Sequence, residues 1–101
     1  MLLSCVQSHV AFGNVSDNFR RTIEWLQQAV ARSVDLVVLP ECMLTGYGYE
    51  SRDEALDHAM TATDPTWEKL ISICRSSGHL HVVIGFLERE ESDGQTQLYN
   101  A

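Results

Sequence analysis

Glu41 is the side chain in this 101-residue sequence best placed for proton chemistry. It closes the run Asp35-Leu36-Val37-Val38-Leu39-Pro40-Glu41. The apolar stretch Leu36 to Leu39, with two β-branched valines, predicts a strand buried on both faces, the habit of parallel sheets covered by helices. Pro40 has no N–H and ends the strand. In open α/β sheets the carboxyl ends of the strands face the ligand crevice. A carboxylate set there against apolar walls has its charged form destabilised, which suits it to proton transfer. The alternative is a plain surface glutamate at a strand end.

Other reactive residue types carry weaker signals. Cys5, Cys42 and Cys74 form no CxxC pair, so neither a disulfide framework nor a zinc ribbon is indicated. Cys42 adjoins Glu41, and neighbours in extended chain point to opposite faces, which makes it a poor partner for that carboxylate. Cys5, in a strand, and Cys74, on the apolar face of a helix, are expected to be buried structural thiols. Lys69 lies among polar helix neighbours and reads as solvated. His79 and His81 would share one side of a strand, but no third ligand is identifiable and no metal is expected. His9 and His58 stand alone. Gly46-Tyr47-Gly48 lacks the further glycine and helix start of a phosphate loop. Tyr47 and Tyr49 follow Glu41 closely. Either could line a pocket or simply pack, and Tyr47 is the candidate substrate contact.

The elements that must position these residues alternate between strand and helix. Leu2 to Gln7 reads as a first strand. Phe19, Ile23, Leu26 and Val30 recur on one helical face, predicting a helix near 17–33 capped by Ser16 or Asp17. The Asp35–Glu41 strand then completes a β-α-β unit with a parallel pair. A short helix is expected over Asp53–Met60. Another follows Asp64-Pro65, carries Trp67, Leu70, Ile71 and Cys74 inward, and stops at Gly78. His81–Leu87 is a third strand. Ser92-Asp93-Gly94 is a turn, and Gln95–Asn100 begins a fourth strand, expected to form a hairpin with the third. Because the sequence ends inside that strand, the domain is expected to continue past Ala101.

Composition limits the class of protein. With 45% hydrophobic and 21% charged residues the chain can build a core, so disorder is excluded. A net charge of −7 with scattered Lys and Arg opposes nucleic-acid binding, which needs a basic surface. No apolar run approaches a membrane span. Met1-Leu2-Leu3-Ser4-Cys5 has no basic and apolar leader ahead of it, so it is not a lipoprotein cleavage box. Reduced thiols and a cytoplasmic location are expected.

The block from Asp35 to Glu41, followed by Leu44-Thr45-Gly46-Tyr47, resembles the first catalytic block of the nitrilase superfamily, the carbon-nitrogen hydrolases. The first strand ending in Gln7, Gly13 with Asn18, Ile84-Gly85 with Glu88, and Leu98-Tyr99-Asn100-Ala101 are similar to other parts of the family's N-terminal half, in the same order. The resemblance covers the whole of residues 1–101 and less than half of a complete family domain. It implies an α/β fold, the first part of a four-layer αββα sandwich. It also implies a Glu-Lys-Cys triad that hydrolyses a non-peptide C–N bond in a small amide, carbamoyl compound or nitrile, with no cofactor or metal. In that triad glutamate deprotonates the cysteine, the thiolate attacks carbon, and lysine stabilises the oxyanion. Glu41 matches the base. No residue matches the family's lysine or cysteine motif, so both are expected beyond Ala101 and this chain alone is expected to be inactive. The resemblance further implies a homo-oligomer when complete. Two rivals remain open at this point: a catalytically dead interaction module of the same fold, and an unrelated α/β binding domain.

Overall fold

Leu36, Val37 and Val38 form the central strand of a parallel sheet, as a short β-branched run flanked by crossover helices should. In the computed structural model, which describes residues 1–101, the chain runs β1 (Leu3–Cys5), α1 (Val15–Ala31), β2 (Leu36–Val38), α2 (Arg52–His58), α3 (Thr66–Ser77), β3 (His81–Val83), β4 (Leu87–Ser92) and β5 (Gln95–Asn100). The first sheet has the order β1-β2-β3, all parallel, and β4-β5 form a separate antiparallel pair.

Side chains alternate across a strand, so the rows of this sheet face opposite ways. In the row Ser4–Val37–Val82, Val37 is 1% exposed and lies in the core beneath the helices. The flanking rows are Leu3–Leu36–His81 and Cys5–Val38–Val83, and there Leu3, Cys5, His81 and Val83 are exposed. The sheet is therefore covered by helices on one face and bare on the other, so β2 is not buried on both faces as its apolar run predicted: Leu36 and Val38 are only half-buried. Cys5, expected to be buried, is exposed, because it stands in the row that faces away from the helices.

The core joins Leu26 and Ala29 of α1, Leu70 of α3, and Val34, Val37, Leu39, Met43 and Leu80 from the sheet and its connections. Phe19, Ile23 and Val30 pack around it, so the apolar face read from their spacing is the buried one. Helix α1 starts two residues earlier than expected. Its cap is Asn14, whose Oδ1 accepts the N–H of Asp17, and Ser16 and Asp17 lie inside the first turn. In α2 the Ser51 hydroxyl accepts the N–H of Glu54. Asp64 Oδ1 takes the N–H of Thr66 at the start of α3, and Gly78 ends that helix at φ 74°, a left-handed angle that costs glycine little.

The hairpin differs from expectation. β3 stops at Val83, and the strand paired with β5 is β4, in register Leu87↔Asn100 to Ser92↔Gln95. The chain leaves the first sheet between Ile84 and Phe86, where the Gly85 carbonyl accepts the N–H of Met43 instead of continuing a strand ladder. Met60 fastens α2's exit to the hairpin: its N–H donates to Leu87 and its carbonyl accepts from Arg89. Trp67 of α3 meets Phe86 edge-on at 4.7 Å between centroids.

Candidate functional site

The turn that carries Glu41 grows out of β2. Leu39 makes the last sheet bond, donating to the Val83 carbonyl at 2.9 Å, and Pro40 then takes the chain out of the sheet. Glu41 stands in the turn at the carboxyl end of this central strand. The Cys42 carbonyl accepts from both Thr45 and Gly46, closing the turn on itself. Cys42 has φ 46°, a left-handed angle unfavourable for a residue with a Cβ and sustained only when its surroundings over-determine it.

Those surroundings are dense. Met43, Leu44 and Thr45 are fully buried, and Cys42 is 2% exposed. Asn18 of α1, also fully buried, reaches across to the turn. Its Nδ2 donates to the carbonyls of Leu44 and Ala11, and its Oδ1 accepts the N–H of Ala11. Gly13 donates to Thr45 at 3.0 Å. Gly85 passes directly under the turn, with no side chain to hold it off. The turn is thus clamped from α1, from the loop before α1 and from the β3–β4 connection.

Asn100, at the end of β5, completes the arrangement. Its Nδ2 donates to Glu41 Oε1 at 2.5 Å, and its Oδ1 accepts from the Cys42 thiol at 3.7 Å. This corrects the expectation that Glu41 and Cys42 point away from each other. The segment is a turn rather than extended chain, and both side chains reach the same amide. Burial, then the negative charge of Glu41, pushes the Cys42 thiol up from its ordinary 9.0, so it remains a protonated donor at neutral pH. The sequence singled out Leu98-Tyr99-Asn100-Ala101 by resemblance but gave Asn100 no role. It lies 59 residues from Glu41 and is brought there by the hairpin register.

The apolar walls expected around Glu41 are not supplied by these residues. Glu41 is exposed and borders none of the cavities. The most apolar of them, about 510 Å³, lies between α3 and β3 against Trp67, Leu70, Cys74, Val82 and Phe86.

The two tyrosines separate clearly. Tyr47 is 67% exposed on the outer side of the turn. Tyr49 packs, its ring 4.9 Å from Phe12 and 5.5 Å from His58, and its hydroxyl donates to the Thr45 carbonyl. His79 precedes β3, so the two histidines are not a pair within one strand, although both border the same cavity beside Asp35 and Leu36. Each ring Nδ1 lies within hydrogen-bond distance of a local carbonyl, Ser77 and His79 respectively. Lys69 is exposed, 5.9 Å above the Phe19 ring. No three of the His, Cys, Asp and Glu side chains converge in a group that could hold a metal ion.

The clamped turn presents its carboxylate at the carboxyl end of a central parallel strand, the end at which open α/β sheets place their ligand crevice. The sequence matches the profile of the carbon-nitrogen hydrolases over residues 2–101. The chain belongs to the carbon-nitrogen hydrolase family, and its fold is that of a partial nitrilase-type α/β domain. The 2-oxoglutaramate amidase of Bacillus subtilis is 29% identical over 100 residues, covering 98% of this chain and 37% of the amidase. The protein N-terminal amidase of Schizosaccharomyces pombe is 30% identical over 106 residues, covering 100% of this chain and 37% of that protein. Among solved structures, an N-terminal amidase with an Asn-Glu-Ala peptide superposes with a TM-score of 0.72 at 28% identity, covering 95% of this chain and 23% of its own. The chain therefore spans little more than a third of the curated relatives' length.

Proposed function

We propose that the protein to which this chain belongs hydrolyses a non-peptide C–N bond in a small amide, with carbamoyl compounds and nitriles as the neighbouring substrate classes, and that Glu41 is its general base. The observation that carries this reading is the clamped turn at the end of β2. It fixes the backbone of Glu41 through Gly85 and one carboxylate oxygen through Asn100, and leaves Oε2 without a hydrogen bond. The family resemblance supplies the partners, a nucleophilic cysteine and an oxyanion-binding lysine. Cys5, Cys42, Cys74 and Lys69 do not match their motifs, so we assign both to sequence beyond Ala101.

In this mechanism Glu41 takes the thiol proton as sulfur bonds to the amide carbon. The tetrahedral oxyanion is held by the lysine. The proton passes to the leaving nitrogen, ammonia departs and a thioester remains. Water, deprotonated by the same carboxylate, releases the acid and restores the thiol. We further propose that the bare face of the β1-β2-β3 sheet receives a second sheet in the whole domain, giving the four-layer sandwich. The whole protein is read as a cytoplasmic homo-oligomer; the free thiols of Cys5, Cys42 and Cys74 support the reducing compartment.

The test is ammonia release from a panel of small amides, carbamoyl compounds and nitriles by a protein extending past Ala101 and by its Glu41→Gln variant. Gln keeps the size of the side chain but cannot take the proton. A fall in kcat of about 10²–10⁴-fold is expected, the range for a lost general base. Unchanged turnover would remove Glu41 from the mechanism, and absence of turnover on every class would favour a catalytically silent interaction module.

A further inference from the structure

The Asn100 amide hydrogen-bonds both residues at the head of the Glu41 turn. Its two ends are distinguishable by what they meet. Oδ1 faces the Cys42 thiol, which burial and the adjacent Glu41 keep protonated and therefore able to donate. An amide oxygen accepts and an amide nitrogen donates, whereas a carboxylate only accepts, so Glu41 fixes which way round the amide stands. Nδ2 donates to Glu41 Oε1, and Oδ1 is left to face the thiol. The amide itself is placed by β5. Leu87 pairs with Asn100, and Phe86 and Ala101 exchange two backbone hydrogen bonds at 2.9 and 3.0 Å beside Gly85. The hairpin and the base-bearing turn are thus tied through backbone and side chain at one point.

We infer that Asn100 is a positioning residue for Glu41: it holds the carboxylate by Oε1 in the rotamer that leaves Oε2 free to take the nucleophile's proton. This rests on the reading of Glu41 as general base. A carboxylate on a flexible three-bond side chain at a turn has several rotamers open to it. One charge-assisted hydrogen bond from a fixed donor selects among them, and small errors of placement at a reacting atom are costly. Cys42 supports the other end of the amide with a weak thiol hydrogen bond.

Asn100→Asp and Asn100→Ala, made in the protein that extends past Ala101, separate this role from a purely structural one. Asp is the same shape but sets a second negative charge against Glu41, which disfavours ionisation of the base. The acidic limb of the kcat/KM profile should move to higher pH by about one unit or more. Ala removes the donor without adding charge, and kcat should fall about 10²-fold with KM little changed. The titration of a ¹³C-labelled Glu41 carboxyl, read by NMR, provides a second measurement that needs no turnover. In Asn100→Asp the added negative charge should shift it upward. If Glu41→Gln abolishes turnover while neither the pH limb nor the carboxyl titration moves in Asn100→Asp, the positioning role is overturned and the general base stands. If the carboxyl titration shifts but Glu41→Gln remains active, the base assignment falls and the catalytic role of Asn100 falls with it.

Discussion

Gly85 lies directly beneath Glu41: a Cβ on Gly85 would stand 3.2 Å from the Glu41 Cα and 3.3 Å from the Cys42 nitrogen. Both neighbours are backbone, in a turn already held by Gly85's own carbonyl through Met43, so they have little freedom to give way. Gly85→Ala should push the turn outward and destabilise the fold by about 1–3 kcal/mol, the usual cost of overpacking. It should also lower kcat in the complete protein without touching any side chain of the site. Urea unfolding and steady-state kinetics check both, and a variant with wild-type stability and turnover would show that the contact is slack.

Asn18 ties α1 to the same turn. Replacing it with Ala strands the N–H and carbonyl of Ala11 and the carbonyl of Leu44, all now bonded to its amide. Each unpaired buried group costs roughly 1–3 kcal/mol, partly recovered where water enters, so a loss of about 3 kcal/mol is expected. An unfolding free energy lowered by less than about 1 kcal/mol would contradict this accounting.

Stability should fall towards both extremes of pH. Burial, followed by the charge of Glu41, raises the Cys42 thiol above 9.0, and burial raises Tyr49 above 10.0 and Cys74 above 9.0. The unfolded chain gives up these protons first, so the stability they carry is complete below pH 9 and drains as pH rises through the folded values. Asp64 is held below 3.8 by hydrogen bonds from Thr66, so its contribution is complete above pH 3.8 and is lost on acidification. Urea midpoints measured from acid to alkaline pH should give a plateau around neutrality. Cys42→Ser should flatten the alkaline decline, and an unaltered decline would assign it to other groups.

Tyr47 and Tyr49 should respond oppositely. Tyr47→Ala removes an exposed ring and should change stability by no more than about 0.5 kcal/mol. If the ring contacts substrate, KM should rise in the complete protein with kcat held, the mark of lost uniform binding. Tyr49→Ala removes the ring between Phe12 and His58 and should cost about 2 kcal/mol or more. Equal thermal shifts in the two variants would contradict this division.

Residues 1–101 expressed alone should self-associate. Leu3 is 56% and Val83 53% exposed on the uncovered sheet face, and β1 and β3 are both edge strands. Exposed apolar sheet faces with unpaired edges favour association. Light scattering should report species larger than a monomer, and a dilute monomer with a sharp unfolding transition would refute this.

Local pattern sufficed for the elements whose causes are local. Phe19, Ile23, Leu26 and Val30 define the buried face of α1 by spacing alone, Gly78 ends α3 because few other residues accept its backbone angle, and Leu36 to Pro40 mark the central strand and its end. The family could be read for the same reason, since the Leu39-Pro40-Glu41 block is contiguous. The remainder depends on distance in the chain. Whether β5 pairs with β3 or with a new strand turns on where Gly85 must bend to pass under Glu41, and that is a packing constraint between residues 44 positions apart. Cys42 takes a left-handed angle that no neighbour in sequence requires, because Asn18, Gly13 and Gly85 close on its turn from three directions. The Asn100 amide meets Glu41 across 59 residues only because the hairpin register carries it there, and hydrogen bonds of that range leave no periodic trace in a sequence.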